Sequence, residues 1–304
     1  MLNPSLFTRR TLLRAGITSL IGLGVTPPAE ACHRRRRALR HCPNVVPTAR
    51  AAFTCDFGVS NDLSPEQIVQ VLERDRLHMS ARSGFIRKHI PLRINASDGS
   101  FFSGGRYLFE TLQDAVAYER WVVNDYVLDG IKFFDRPYIL DPNCRTWAIA
   151  GMLTLGDVTD QVVTRMERWH VPANTPRAAF QEKWPAIVHG ARQRCLTSVW
   201  LLDNAPDEMI SLVYFRGRLN SADQECQGDP QKIVEASLKG LESMSPLGQV
   251  FDDRGWTKTF DRTQWVFTVW FPFVTGDHGR PPLWPNSPPL PEPFLRRRAQ
   301  RNVP

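Results

Sequence analysis

The chain has 304 residues, 42% of them hydrophobic, and a formal charge of +7 at neutral pH, which is enough apolar material for one large core or two smaller ones. The positive excess sits at the ends: residues 1–50 hold nine arginines against one acidic residue and 291–304 hold four against one, leaving 25 basic and 29 acidic residues in 51–290. A fold with no basic surplus of its own has little with which to neutralise phosphates, so nucleic acid is not an expected partner.

The chain opens on an address. "TRRTLLRAGITSLIGLGVTPPAEA" carries adjacent Arg9 and Arg10, then Thr11, Leu12, Leu13 and Arg14, ahead of a moderately apolar stretch from Ala15 to Val25. It resembles a twin-arginine export signal, and the apolar stretch is shorter than the roughly 20 residues that span a bilayer. Ala29-Glu30-Ala31 places small residues where a signal peptidase reads, so residues 1–31 are expected to leave as a signal peptide. Cys32 then leads the mature chain; lipid attachment there is the alternative, which Glu30 beside the cut disfavours. The expected location is the periplasm or the exterior, with no transmembrane segment.

Residues 32–50 form a basic leader containing Arg34 to Arg37, which an export route for folded proteins tolerates. Cysteines at 32, 42, 55, 144, 195 and 226 allow up to three disulfides in an oxidising compartment. "CHRRRRALRHC" also offers a metal clip from Cys32, His33, His41 and Cys42, but the arginines between would repel a cation, and no metal is assigned.

"AAFTCDFGV" reads as a first strand. A helix follows over "SPEQIVQVLERDRLHMSARS", where Ser64 can cap, Pro65 suits the first helical position, Gln67 completes a capping box, and Ile68, Val71, Leu72 and Met79 keep helical spacing. "GFIRKHIPLRI" and "FFSGGRYLFE" are a second and third strand joined through the turn-forming "NASDGS". Gly104 and Gly105 lack side chains, which lets the third strand bend or another group approach it closely. From Thr111 the spacing of Leu112, Ala115, Val116, Trp121 and Val122 suits a helix, and "DGIKFFDRPYIL" reads as a fourth strand. This βαββαβ order puts two helices on one face of an antiparallel sheet, the ferredoxin-like arrangement.

A second pass of the pattern is expected to begin at "RTWAIAGMLTL" and to continue through a helix opening at Thr175-Pro176. The strands "LTSVWLLD" and "MISLVYFRG", a helix around "DPQKIVEASLKGLESM" and the last strand "QWVFTVWFPF" complete it. The expected units are thus 51–141 and 142–275, followed by a proline- and arginine-rich tail, 276–304, whose arginines could touch anionic lipid or polymer. Counting from Ser64 and from Thr175, a histidine falls fourteen positions later in both copies, at His78 and His189.

At Gly84-Phe85, Lys88, Gly104-Gly105, Tyr107-Leu108-Phe109, Ala115 and Ala117-Tyr118, the first copy resembles the YdhR-like mono-oxygenase family of the dimeric α/β-barrel superfamily. The resemblance covers roughly residues 55–140, about a quarter of the chain, and the second copy departs from the motif. It implies an α+β fold in which two tandem ferredoxin-like units close on each other, or assemble further as a homo-oligomer, with an apolar cavity between each sheet and its helices. It also implies a function: binding a small hydrophobic or aromatic ligand and oxidising it without a cofactor. A non-catalytic envelope protein that binds a ligand or partner is the alternative, and haem binding the third reading. A fold of this kind hosts several chemistries and does not choose between them.

Candidate site residues follow from residue chemistry. His78 and His189 could each accept a proton, because histidine changes charge near neutral pH, although an exposed helix histidine near a local acid such as Asp75 explains them equally simply. Lys88 and His89 are successive on a strand, so only one can enter a given cavity. Lys88, Arg106 and Tyr107 could hold an anionic or phenolic ligand, against the plainer account of a snorkelling lysine and a core tyrosine. Trp256, Trp265, Trp270, Phe267 and Phe271 could wall a pocket for a flat molecule, or simply pack. No G-x-S-x-G, H-E-x-x-H, Walker loop or C-x-x-C is present.

Overall fold

The structure, a computed structural model, describes residues 48–60, 62–63, 65–94, 100–156, 161–173, 175–176, 178–217 and 230–272. The expected signal peptide, basic leader, C-terminal tail, Ser64 cap and turn at 95–99 lie outside the described residues. No described helix is long and apolar enough to cross a membrane.

Among the described residues, ten strands and four α-helices follow one another. They are β1 (Ala51–Val59), α1 (Pro65–Ser80), β2 (Phe85–Ile94), β3 (Phe101–Phe109), α2 (Leu112–Arg120), the two-residue strands β4 (Val127–Leu128) and β5 (Ile131–Lys132), β6 (Ile139–Thr154), β7 (Gln161–His170), α3 (Ala178–Gln193), β8 (Leu196–Asn204), β9 (Met209–Gly217), α4 (Pro230–Glu242) and β10 (Thr257–Trp270). Eight of the strands close into one barrel in the order β1-β3-β2-β10-β7-β9-β8-β6. It divides into two antiparallel sheets, β6-β1-β3-β2 and β8-β9-β7-β10, each a ferredoxin-like unit with two helices, joined edge to edge by β2–β10 and β6–β8 pairing. Closure leaves neither sheet a free edge.

The second unit starts later than its sequence suggests. "DGIKFFDRPYIL" is not one strand: it holds β5, a 3-10 turn over Phe133–Asp135 and only the start of β6. "RTWAIAGMLTL" is the rest of β6, which pairs first with β1 and then with β8, so the boundary expected at 141/142 falls inside a strand. A bulge opposite Phe57, with Asp141 at φ 48°, imitates a strand end there. The first strand of unit 2 is β7, "QVVTRMERWH". Its Arg165, Glu167 and Arg168 look solvent-facing in sequence, yet nine of its ten residues are buried, because one face meets the barrel lumen and the other meets helices.

Helix α2 starts as expected, with the Thr111 hydroxyl accepting from the Asp114 backbone N–H. Its buried face is rotated from the expected one: Ala115, Tyr118 and the following Val122 are buried, while Leu112 and Val116 are exposed. The glycine pair of β3 is required sterically. A Cβ on Gly104 would stand 2.0 Å from the Cys55 carbonyl oxygen of β1, and one on Gly105 would stand 2.1 Å from the Tyr107 ring. Cys55 and Cys144 form a disulfide across the β1–β6 ladder.

Two cores lie between the sheets and their helices, and a third fills the lumen around Trp147, Trp200, Met166 and Phe215. Each large side chain so buried stabilises the fold by roughly 1.5–3 kcal/mol. The lumen is not oily throughout. Arg106 donates to Asp56 at 2.6 Å and to Gln264 at 2.8 Å, and Arg168 donates to the other Asp56 oxygen at 3.0 Å.

Candidate functional site

Strand alternation sends Lys88 out of the lumen into the space under α1, while His89 points into the lumen, where its Nε2 meets Gln161 Oε1 at 2.7 Å. On the helix-facing side the ladder sets Lys88 between two aromatic neighbours: Tyr107 on β3 and Trp270 on β10 are its cross-strand partners. The ammonium nitrogen lies 4.7 Å from the Tyr107 ring centre and 4.1 Å from that of Trp270. Met79 of α1 closes the cage, its sulfur 3.4 Å from Lys88 Nζ and 3.7 Å from the Tyr107 hydroxyl.

The nearest carboxylate does not pair with this lysine. Asp75 accepts from Arg136 at 2.7 and 3.0 Å and from the Tyr126 hydroxyl at 2.7 Å, which occupies both its oxygens. Lys88 is 3% exposed, and burial pulls its amine down from 10.5 to about 7, with Asp75 opposing only in part. The amine is therefore divided between its neutral and charged forms near neutrality. Aromatic faces stabilise the cation only modestly. Burial pushes the Tyr107 and Tyr118 phenols well above their ordinary range, so both remain protonated donors.

The cavity beside Lys88 is lined by Phe53, Leu72, Asp75, Gly105, Tyr107 and Phe133, among others, and holds about 20 Å³. A second cavity of about 30 Å³ shares Phe57, Leu72, Asp75 and Phe133 with it and reaches Arg136 and Tyr138. Each is room for a water-sized molecule. Both are far smaller than the roomy apolar hollow expected under each sheet, and Leu72 and Phe133 stand in the lining of both.

The structure brings together Lys88 and Tyr107 and separates them from the other expected site residues. Arg106 faces the lumen, fixed by Asp56, Gln264 and the Cys55 carbonyl, and cannot hold a ligand under α1. His78 is exposed on α1 with its ring 5.6 Å from that of Tyr126, and His189 is exposed on α3. The match counted from Ser64 and Thr175 does not carry into the helices, which start at Pro65 and Ala178, and neither histidine lines a described cavity. Among the described residues no group of three or more His, Cys, Asp or Glu could hold a metal ion. Trp265, Phe267 and Trp270 pack in the unit 1 core, and of these Trp270 reaches Lys88; Trp256 packs against unit 2, and Phe271 is exposed.

Sequence reading missed Met79, Asp75 and Arg136 as parts of this site. The buried Asp75–Arg136 pair joins α1 to the segment before β6, a contact 61 residues apart with no local signal.

No family model matches the sequence, and no curated protein matches it. Among solved structures, the fold is similar to a candidate monooxygenase from Fusobacterium nucleatum subsp. nucleatum (12% identity, TM-score 0.43, covering 72% of this chain and 91% of that one). It is also similar to an anthrone oxidase-like protein (10%, 0.44, 75% and 95%) and to a chlorite dismutase variant from Candidatus Nitrospira defluvii (12%, 0.37, 68% and 95%). At such identities the likeness concerns the chain path, and none of these proteins assigns a chemistry to Lys88.

Proposed function

We propose that the protein binds a small, hydrophobic, ionisable molecule under α1 of unit 1, and that Lys88 takes its proton. The observation that carries this reading is the buried amine itself: among the described residues it has no carboxylate partner, it stands in an aromatic cage, and it is held at a pKa of about 7. A phenol or similarly acidic ligand would protonate the amine and remain beside it as an anion, supplying the counter-charge that Asp75 gives to Arg136 instead. Admission requires Leu72 and Phe133 to turn aside and join the two small cavities.

The oxidation implied by the sequence resemblance is the catalytic extension of this reading. A methylene flanked by aromatic rings, once deprotonated, gives four electrons in all to dioxygen; one oxygen atom becomes the ketone and the other leaves in water. No cofactor or added reductant enters that balance. Lys88 would accept the first proton and Tyr107 would donate to the developing anion. Export through the twin-arginine route belongs to the same proposal, supported by the Cys55–Cys144 disulfide and by a disulfide at Cys195.

The test is 4-nitrophenol, whose anion is coloured. Mixed with the protein at a pH one unit below its own ionisation, it should show a phenolate band beyond that of free ligand, and Lys88→Met should abolish the band. An equal band in Lys88→Met, or none in the wild type, would remove the proton-accepting role. Dioxygen uptake with aromatic methylene substrates, lost in the same variant, separates catalysis from binding.

A further inference from the structure

The largest cleft among those described lies at one mouth of the barrel, where the end of β1 meets the start of β3 and β6 and where β10 passes. It holds about 670 Å³, is open to solvent, and is walled by Phe101, Phe102, Leu140 and Phe260, with Asp56, Asn143 and Arg262 among its polar residues. Its size is that of a small-molecule site.

Three guanidiniums, of Arg106, Arg168 and Arg262, surround the single buried carboxylate of Asp56. Both Asp56 oxygens are taken, one by Arg106 and one by Arg168, and Arg168 also donates to Asn143 Oδ1 at 3.0 Å. Arg262 is the one left over: among the described residues it has no hydrogen-bond or ion-pair partner. It is nonetheless held in place, its guanidinium carbon 4.1 Å from the Phe102 ring centre and 5.0 Å from that of Phe260. Stacking fixes the plane of the group and leaves its edge donors unused. Asp141 stands on the rim, exposed and unpaired with Arg262.

We infer that this cleft is a second binding site, for a small amphipathic carboxylate whose acid group meets Arg262 and whose apolar body lies along Phe102, Leu140 and Phe260. A planar carboxylate matches the free fork of the guanidinium bidentately, and a neutral amide does not. Arg262 and Lys88 line different cavities, which share Phe57 as a common wall.

Titration calorimetry of the full chain with phenylacetate and with phenylacetamide tests it without any variant: the acid should bind about tenfold or more tightly than the amide, as a charge-assisted pair requires. Arg262→Gln should remove that difference while leaving the weak amide binding unchanged. If Arg262→Gln does not melt cooperatively, Phe102→Leu, which withdraws the stacking ring, should weaken phenylacetate in the same direction. Equal affinity for acid and amide in the wild type overturns the inference. So does phenylacetate binding that Lys88→Met abolishes and Arg262→Gln leaves intact, because the ligand then sits under α1.

Discussion

Under its helices, unit 1 buries a cation and unit 2 buries an acid, and only the second is fully satisfied. Tyr107 and Tyr214 both stand on the third strand of their units, facing helices. Beside Tyr107 lies Lys88, caged by rings and a thioether. Beside Tyr214 lies Glu167, which accepts from the Tyr214 hydroxyl, from the Leu247 backbone N–H at 3.1 Å and from that of Gly248 at 3.3 Å. The 3-10 turn Leu247–Arg254 brings those donors in, and Gly248 permits it: a Cβ there would stand 1.9 Å from the Trp169 ring. Burial pushes the Glu167 carboxyl up while the Tyr214 hydrogen bond pulls it down. Unit 2 has used its polar group to lock a turn against the sheet. Unit 1 gives its own a thioether and two rings, and among the described residues no carboxylate pairs with it.

The comparison breaks most visibly at Glu167. Replacing it by Leu strands the Tyr214 hydroxyl and two backbone N–H groups, and chemical denaturation should report a loss of about 3–5 kcal/mol. Lys88→Met should act in the opposite direction, raising stability by about 2–4 kcal/mol at pH 7, since each unit of displaced pKa is worth about 1.4 kcal/mol. The folded amine, at about 7, lies below its ordinary 10.5, so between those values the unfolded chain binds a proton that the folded chain lacks. The wild type therefore gains stability with rising pH across that window, and its deficit against Lys88→Met should shrink as pH approaches 10.5. A deficit constant from pH 7 to 10 would mean that Lys88 is not desolvated. The smallest effect belongs to the matched histidines: His78→Ala and His189→Ala, both exposed, should each change stability by less than about 0.5 kcal/mol and leave the 4-nitrophenol band intact.

Much of the scaffold was legible because it is local. The start of α2 near Thr111, the glycine pair of β3 and strands β1, β2, β3, β8 and β9 follow from apolar spacing, backbone freedom and apolar runs. Strand β7 was not legible, because its charges are neutralised by groups far away in sequence: Arg165 by Asp261, Arg168 by Asp56. The two halves of β6 read as separate strands because Asp141-Pro142 resembles a turn, whereas in the barrel it is a bulge in a strand shared by both sheets. At the site, Lys88 and Tyr107 were visible as residues, and alternation put Lys88 and His89 on opposite faces without saying which of them enters the cavity. Arg106 was grouped with them although it is adjacent to Tyr107 and so belongs to the opposite face.

By itself the sequence determined the repeat of strands and helices, the side of each strand on which a residue falls, and the absence of familiar catalytic motifs, since all of these are written in spacing a few residues long. Only the tertiary structure decided which charges are partnered. Asp75 goes to Arg136 and not to Lys88, and Asp56 goes to Arg106 and Arg168 and not to Arg262. Ion pairing within a closed barrel depends on distances between strands that chain order does not encode, and the binding proposals for Lys88 and Arg262 rest on distances of that kind.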